Sequence, residues 1–260
     1  MKVKLLSRKG PVLRFVIEGT DPAFANSLRR VMITEIPTLA TQWVDFHDNN
    51  SAVFDEVLSH RIGLVPLKFN PKKMVFTEDC TCKEKGCPSC QAVLVMDKKG
   101  PGIATSGDMK SSDRNVSPVD PRIPIVELLE NQSVRFEAVA RLGLGKNHAK
   151  HHAANASYSY YPEISSKGAK PADLKKAVDA CPKGILELKA GKLSIKDPEN
   201  CDLCRSCMES VEGVTVKGDE SRIIFNVESV SGLEPEYIVS TAAAILQERA
   251  EDFKKKLAKL

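Results

Sequence analysis

Long apolar segments are absent from this sequence. No run approaches the roughly 20 consecutive apolar residues that a membrane-spanning helix requires, so we expect no contact with a membrane. The opening residues, MKVKLLSRKG, lack the apolar core of a secretory signal peptide. We therefore expect a cytoplasmic protein, whose eight cysteines are available to metals rather than to disulfides.

A large excess of charge of either sign is also absent. The formal net charge is +4 and the isoelectric point is near 8.5, which gives no reason to expect direct, sequence-specific binding of nucleic acid. Hydrophobic residues make up 42% and charged residues 28% of the chain, a balance typical of a soluble globular protein with a real core. The length of 260 residues allows one large domain or two to three small ones.

Catalytic motifs are the third absence. The sequence offers no Ser/His/Asp set and no paired acidic motif of the kind that holds catalytic magnesium. The segment GLGKN lacks the residue order of a phosphate-binding P-loop. His148, His151 and His152 have helical spacing but no nearby carboxylate to complete a zinc site, which favours a surface contact segment. We therefore expect no catalytic residues in this chain.

Two tight groups of cysteines are present, and the second begins like a bacterial iron–sulfur motif. Cys201, Cys204 and Cys207 have the C-x₂-C-x₂-C spacing of that motif. The motif then calls for a fourth cysteine followed by proline, but Val211 and Glu212 occupy those positions. In two-cluster ferredoxins the fourth cysteine of one motif binds the other cluster, so we expect the missing ligand in an earlier half-motif.

Cys181, which precedes a proline, supplies that ligand. Ten, seven and four residues before it, where three cysteines of a first cluster would stand, the sequence has Pro171, Leu174 and Ala177. With Val211, all four lost ligands belong to one cluster, so the pattern predicts a ferredoxin-like segment with one [4Fe–4S] cluster. A four-cysteine zinc site is the alternative, although three thiolates on a tight loop suit a cubane better. Oxidation in air would leave a three-iron form or an empty site.

The first group of cysteines, CTCKEKGCPSC, has the spacing C-x-C-x₄-C-x₂-C. It consists of Cys80, Cys82, Cys87 and Cys90. Four thiolates within eleven residues can close tetrahedrally around zinc and fix a loop that is too short to have its own core. The spacing therefore predicts one structural zinc ion. Free thiols on a mobile loop are the alternative, which would leave four cysteines open to oxidation.

Hydrophobic periodicity predicts strands and a long helix near each end of the chain. Residues 3–19 contain two strand-like runs around RKGP, typical of a hairpin. Asp21 suits the N-cap and Pro22 the first position of the following helix, and a short helix is predicted from Phe54 to about Ile62. RIIFNVESV predicts a strand before the C-terminal helix. Residues 97–122 are polar and rich in Gly, Ser, Asp and Pro, typical of an extended loop.

Four segments carry a family resemblance that spans nearly the whole chain. They are FANSLRRVMITEIPTLA, DEVLSHRIGLVPLKF, GLGKNHAKHHAANASYSYYP and FNVESVSGLEPEYIVSTAAAIL. In this order they resemble the assembly subunits of multisubunit RNA polymerases, which include the bacterial alpha subunit and its archaeal and eukaryotic relatives. The single-cluster iron–sulfur segment is similar to that of the archaeal branch, the D subunits.

The resemblance implies an α+β fold in three parts. A discontinuous dimerisation domain, made of an antiparallel sheet and two long helices, would combine residues 1–42 and 222–260. A β-rich insert domain would cover residues 43–164 and contain the cysteine-rich loop 80–90. A ferredoxin-like iron–sulfur domain would cover residues 165–221.

The resemblance also implies partners. The chain would be a non-catalytic assembly platform of the archaeal DNA-dependent RNA polymerase. It would pair with subunit L, bind the small subunits N and P, and seat the large catalytic subunits. The apolar stripes of the first and last helices would meet L, although such stripes also commonly cover a chain's own sheet. The residues assigned to this interface are Phe24, Leu28, Val31, Met32, Ile238, Ala242, Ile245, Leu246 and Phe253.

A second function comes from another class of protein. A single iron–sulfur cluster could serve a redox or sensor protein. The loss of the second cluster argues against electron transfer, because two-cluster ferredoxins pass electrons between adjacent centres.

Overall fold

The computed structural model describes residues 1–259 and has a mixed α+β architecture. Every strand pair whose register is described is antiparallel, which confirms the predicted class. The chain forms two compact units, one of Met1–Arg29 with Ser157–Asn226 and one of Arg30–Ala156 with the chain from Val227 onward. No helix in the described part is long and apolar enough to cross a membrane.

The described residues form fourteen strands and five helices. The strands are β1 (Lys2–Lys9), β2 (Val12–Glu18), β3 (Thr38–Asn49), β4 (Leu67–Lys68), β5 (Gln91–Lys99), β6 (Gly102–Thr105), β7 (Lys110–Ser111), β8 (Ser117–Pro118), β9 (Pro124–Leu128), β10 (Ser133–Gly143), β11 (Ala154–Ser165), β12 (Leu186–Lys189), β13 (Lys192–Ile195) and β14 (Thr215–Ser229). The helices are α1 (Pro22–Thr34), α2 (Asp55–Gly63), α3 (Leu174–Asp179), α4 (Ser206–Ser210) and α5 (Pro235–Leu257). Short 3₁₀ turns cover Ser106–Asp108, Ala149–His151 and Pro198–Asn200.

The first sheet joins the two ends of the sequence. Its strand order is β1-β2-β14-β11, so the predicted N-terminal hairpin and the strand predicted from RIIFNVESV share one sheet. Aromatic side chains connect three of these strands. Phe15 on β2 stacks on Phe225 of β14 with ring centroids 5.1 Å apart, and Tyr158 on β11 lies 5.7 Å from the same ring. The sheet is therefore held by buried rings as well as by backbone hydrogen bonds.

Helix α1 begins where the sequence predicts. The Phe24 N–H donates a hydrogen bond of 2.8 Å to Asp21 Oδ1, which satisfies one of the free amides of the first turn. Pro22 occupies the first helical position, where its missing N–H costs nothing. At the other end, the Thr34 carbonyl accepts a hydrogen bond of 2.9 Å from the Lys146 N–H.

The second sheet has the order β3-β10-β5-β7. Alternate residues of its two central strands, Phe136 and Ala138 on β10 and Leu94 and Met96 on β5, have no exposed surface. Helix α2 packs on β3 and follows the predicted bounds closely. This sheet supplies the main core of the second unit.

The polar segment 97–122 is not the extended loop that its composition predicts. It contains β6, β7, β8 and a 3₁₀ turn, and these strands pair with β9, β5 and β4. The Ser106 hydroxyl is fully buried in the turn and donates to the Asp120 carbonyl at 2.6 Å. Strands of two to four residues are too short to leave a recognisable period in the sequence.

Residues 165–214 form a small substructure of the first unit. Helices α3 and α4 and the hairpin β12–β13 surround an apolar core. Gly213 has a φ of +85°, and a Cβ atom on it would lie 2.2 Å from the carbonyl carbon of Gly168. Only glycine permits this close approach, which joins the two ends of the substructure.

Candidate metal centres and partner-facing surfaces

The sulfur atoms of the first cysteine group converge in the loop that precedes β5. The Sγ atoms of Cys80 and Cys87 are 3.5 Å apart, those of Cys82 and Cys90 are 3.7 Å apart, and those of Cys87 and Cys90 are 3.9 Å apart. All four lie within 4.8 Å of one another. A tetrahedral ion with Zn–S bonds of about 2.3 Å holds its sulfur atoms about 3.8 Å apart. The loop can therefore hold a metal ion, and its donor set fits zinc.

The backbone of this loop turns tightly to aim the thiols at one point. Lys83, Glu84 and Gly86 all have positive φ. The Cys90 N–H donates to the Cys87 carbonyl at 2.9 Å, and the Cys87 N–H donates to the Cys90 sulfur at 3.3 Å. The second half of the loop thus forms a turn whose own amides point at a cysteine sulfur.

The protonation of these thiols depends strongly on position. The Ser89 N–H and the Cys80 thiol donate to the sulfur of Cys87 and lower the pKa of Cys87 to about 7. At Cys80, the Cys82 N–H lowers the pKa, but burial and the neighbouring thiols outweigh it and raise the pKa to about 12. Burial also raises the pKa of Cys90. A bound cation is therefore required to keep all four side chains as thiolates together.

The second cysteine group lines a single pocket. Cys181 follows α3, Cys201 follows a 3₁₀ turn and Cys207 is buried in α4, whereas Cys204 is exposed. Burial raises the pKa of Cys207, and the three neighbouring thiols raise it further by their charge. The four groups are therefore close enough to interact electrostatically.

The sulfur atoms of the second cysteine group lie farther apart than those of the first group. Among residues 1–259, only the first group has its sulfur atoms all within 4.8 Å of one another, so the thiols of the second group stand farther apart. In a cubane each thiolate binds a different iron, and such ligands stand farther apart than those of a single ion. Leu203 and Arg205, with φ of +57° and +68°, wind the chain tightly between the cysteines. The donor set fits a cluster held by four thiolates.

Apolar packing fills the positions where the sequence lacks the ligands of a second cluster. Leu174, Ala177 and Val211 are 3%, 0% and 5% exposed and belong to one buried cluster, which also includes Leu186. Pro171, the fourth such position, is exposed. Three of these four positions therefore help to hold the substructure together by burial of apolar surface.

The loop ahead of the C-x₂-C-x₂-C motif is tied to the first sheet. Arg14 on β2 donates to the Glu199 carbonyl at 2.6 Å and to the Asn200 side chain at 3.3 Å. A Cβ atom on Gly218 of β14 would lie 3.2 Å from the Leu203 side chain, so the loop packs directly on that strand. Sequence reasoning missed these contacts because Arg14 and Glu199 are 185 positions apart and neither belongs to a motif.

The chain is similar to known proteins along nearly its whole length. The RNA polymerase Rpb3/RpoA insert domain matches residues 44–160. DNA-directed RNA polymerase subunit Rpo3 of Methanosphaera stadtmanae is 37% identical, over 97% of this chain and 97% of its own length. The same subunit of Methanothermobacter thermautotrophicus is 36% identical over 96% and 97%, and DNA-directed RNA polymerase II subunit rpb3 of Dictyostelium discoideum is 32% identical over 99% and 95%.

The chain belongs to the Rpo3/Rpb3 family of RNA polymerase subunits. This confirms the family that the four sequence segments indicate.

Nine residues of this Rpo3/Rpb3 family member are predicted to contact L. They fall into two groups that differ in how much of each side chain is exposed. The first group lies in the chain's own core, each side chain 3% exposed or less, and has almost no surface to offer a partner. Its members are Leu28, Val31, Met32, Ile238 and Ala242. These parts of the two stripes therefore stabilise the fold of the isolated chain.

The second group retains surface. Phe24, Ile245 and Leu246 are half-buried, and Phe253 is 65% exposed. Within the second unit, Arg249 of α5 pairs with Glu35 through both carboxylate oxygens, one of them at 2.9 Å. Of the nine residues predicted for the interface, these four are the ones with surface left for a partner to cover.

The histidine segment is only partly a surface. His151 is 4% exposed, and its Nδ1 atom lies 2.8 Å from the Thr38 carbonyl. Burial lowers the pKa of His151, which therefore stays neutral at pH 7. This corrects the expectation of a surface contact for His151, whereas His148 is exposed as expected. Sequence spacing could not reveal that this histidine faces inward from a 3₁₀ turn.

Replacing Leu174 by Ala should destabilise the 165–214 substructure by about 2–5 kcal/mol, because it leaves a cavity in a core with few apolar side chains. Leu188→Ala is the matched control, since Leu188 is 44% exposed on β12 and its loss should cost about 0.5 kcal/mol or less. Hydrogen exchange of the α3 and α4 amides measures the difference. If the two variants lose the same amount of stability, Leu174 does not contribute to the core as described.

Replacing Cys90 by Ser should abolish zinc retention by the cysteine-rich loop, because Cys90 is fully buried and its sulfur lies at the centre of the group. The measurement is zinc content per chain after gel filtration. Ser89→Ala is the control, since it changes an exposed neighbour and keeps all four thiols. Undiminished zinc in Cys90→Ser would show that the metal is bound elsewhere.

Proposed function

We propose that this chain is the non-catalytic platform on which an archaeal-type RNA polymerase assembles. The observation that carries the proposal is the relationship to Rpo3 subunits over 97% of the chain, which includes both ends and the insert. The residues outside the metal centres contribute interfaces rather than chemistry. We expect no sequence-specific binding of nucleic acid by this chain.

The outer half of α5 supports pairing with subunit L. Leu246, Phe253 and Leu257 repeat at seven and four residues and therefore share one face of the helix. Phe253 and Leu257 are 65% and 52% exposed in this chain. An apolar stripe of this kind is stabilised when a second helix covers it. Ile245 on the same helix would extend this interface, and Phe24 on α1 would be a further contact with L.

The remaining partners follow from the family. Small subunits N and P and the large catalytic subunits would bind the platform once the pair with L has formed. The insert domain, residues 43–164, would present the zinc loop as a fixed surface. The discontinuous dimerisation domain of residues 1–42 and 222–260 would carry the L interface, and residues 165–221 would form the ferredoxin-like domain.

Two metal centres would complete the platform. Cys80, Cys82, Cys87 and Cys90 would hold one zinc ion. Cys181, Cys201, Cys204 and Cys207 would hold one [4Fe–4S] cluster, which when bound supplies a four-point crosslink among α3, α4 and the intervening loop. Small substructures with few apolar residues commonly depend on such crosslinks.

A redox or sensor function is not favoured. Three of the four positions where a second cluster's ligands would stand belong to a packed apolar core and the fourth is an exposed proline, so these positions offer no thiolates for a second centre of the ferredoxin type. The exposed thiol of Cys204 gives oxidants access to the proposed cluster, and a three-iron or empty form would result from handling in air.

Replacing Phe253 by Asp should weaken pairing with L by at least about tenfold, because the charge must be desolvated on the proposed helix interface. Folding should be unaffected, since the side chain is 65% exposed. Leu129→Asp is the matched control, an equally exposed leucine outside α5. Co-purification of L with each variant, followed by titration, is the measurement.

Two results would count against this interface. One is unimpaired binding of L by Phe253→Asp. The other is equal weakening by Leu129→Asp, which would indicate a general effect of added charge.

Replacing Cys201, Cys204 and Cys207 by serine together should remove iron and sulfide, keep pairing with L, and reduce recruitment of the large subunits. The reason is that the proposed crosslink shapes one substructure and lies outside α5. Anaerobic iron and sulfide analysis and the yield of complete polymerase are the measurements. Cys82→Ser is the control, since it should change zinc and leave iron intact. Normal yield of complete enzyme from the triple variant would refute the structural role.

A further inference from the structure

An open pocket in the second unit is lined by the side chain of Lys150, and no acidic side chain lines the same pocket. It lies between β3, α2 and the 3₁₀ turn at Ala149–His151 and has a volume of about 110 Å³, enough for a side-chain carboxylate. Its lining includes Trp43, His60, Leu64, His148 and Lys150, and none of its described lining residues is acidic.

Lys150 is the central group of this pocket. Its Nζ atom donates to the Thr41 carbonyl at 2.9 Å, which uses one of the three donors of the ammonium group. The side chain is half-buried, and burial alone lowers the pKa of Lys150, with no carboxylate acting in the opposite direction. A partly desolvated ammonium that lacks a counter-charge gains more from an added carboxylate than a solvated one does.

The groups around Lys150 do not supply that counter-charge. Arg141 lies nearby with its guanidinium 4.4 Å above the Trp43 ring, and it donates to the neutral side chain of Gln91 at 3.0 Å. Glu78 and Glu84 line an adjoining hollow that shares Lys150, but they do not line this pocket. The pocket therefore presents positive charge to whatever enters it.

Exposed apolar side chains border the pocket. Leu64 and Trp43 are 50% and 38% exposed on its lining. An apolar rim around one polar group is typical of the centre of a protein interface, since the rim excludes water from the polar contact.

We propose that this pocket receives one Asp or Glu side chain from another RNA polymerase subunit, whose carboxylate pairs with Lys150 while its neighbours pack on Trp43 and Leu64. The inference rests on the proposed function, because it assumes that the chain is covered by other subunits. Charge complementarity selects the occupant: the pocket has an unpaired ammonium, two histidines and no acid. A single lysine within an apolar rim fits a protein side chain rather than a nucleic acid backbone.

The direct test is zero-length crosslinking of the assembled polymerase with a water-soluble carbodiimide. This reagent joins an amine to a carboxylate only where the two groups are in contact. Mass spectrometry should find Lys150 coupled to an Asp or Glu of another subunit in the complete enzyme, and uncoupled in the isolated chain. The proposal would be overturned if other interfacial lysines of the complete enzyme react and Lys150 does not.

Variants at the same position test its contribution. Lys150→Met should weaken incorporation into the polymerase by about thirtyfold, because it leaves a partner carboxylate buried and unpaired. Lys150→Arg should retain most incorporation but give no crosslink, since a guanidinium does not couple. Lys146→Met is the matched control, an exposed lysine of the same segment that does not line the pocket. Thermal unfolding of each isolated variant monitors the fold.

The outcomes separate this inference from the proposed function. Normal incorporation of a folded Lys150→Met chain would overturn the acid-binding pocket and leave the assembly function standing. Failure of the unaltered chain to join the other polymerase subunits would overturn both. Two results together would support the acid-binding pocket. They are coupling of Lys150 to a carboxylate of another subunit, and reduced incorporation of Lys150→Met but not of Lys146→Met. If added single-stranded nucleic acid instead competes for the pocket and no carboxylate couples, the proposal is also overturned.

Discussion

Packing between α3 and α4 is the interaction on which the second cysteine group depends. Leu174 and Ala177 on α3 meet Val211, directly after α4, in one buried cluster. Cys181 follows the first helix and Cys207 lies within the second, so this apolar contact brings together thiols that are far apart in the chain. This apolar core thereby positions the second cysteine group.

The chain uses two different means of holding its parts. In the two large sheets, buried rings and alternating apolar side chains suffice, as the stack of Phe15 on Phe225 shows. In the loop 80–90 the cysteine sulfurs converge on one point, and in residues 165–214 four cysteines line one pocket beside a small apolar core. Within the first unit, Arg14 connects the sheet with the cysteine-bearing loop, because it lies on strand β2 and binds the loop ahead of Cys201. The cysteine-bearing loop and the first sheet are therefore not independent of each other.

Sequence predicted those features that depend on local spacing or on periodicity. The N-cap at Asp21, the bounds of α2 and the grouping of four cysteines around one point follow from residues close together in the chain. The short strands of residues 97–122 were missed because they are formed by pairing with distant partners. The burial of Leu28 and Met32 was not evident either, since an apolar stripe looks the same whether it covers its own chain or another. Lys150 gave no signal at all, because its significance lies in which charges are absent around it in space.

The exposure of the outer half of α5 has a consequence for how the isolated chain behaves in solution. From Gln247 to Leu257 every described side chain is exposed, so this part of the helix is stabilised mainly by its own backbone hydrogen bonds, by the pair of Lys256 with Asp252 at 2.7 Å, and by the pair of Arg249 with Glu35. Beyond that pair, a helix end with no buried side chains frays readily, and its amides exchange with solvent. The helix end would then gain its rigidity only when it is covered, and the entropy lost in that step would be part of the cost of assembly. A flexible end of this kind reaches a partner before the two surfaces are fully aligned.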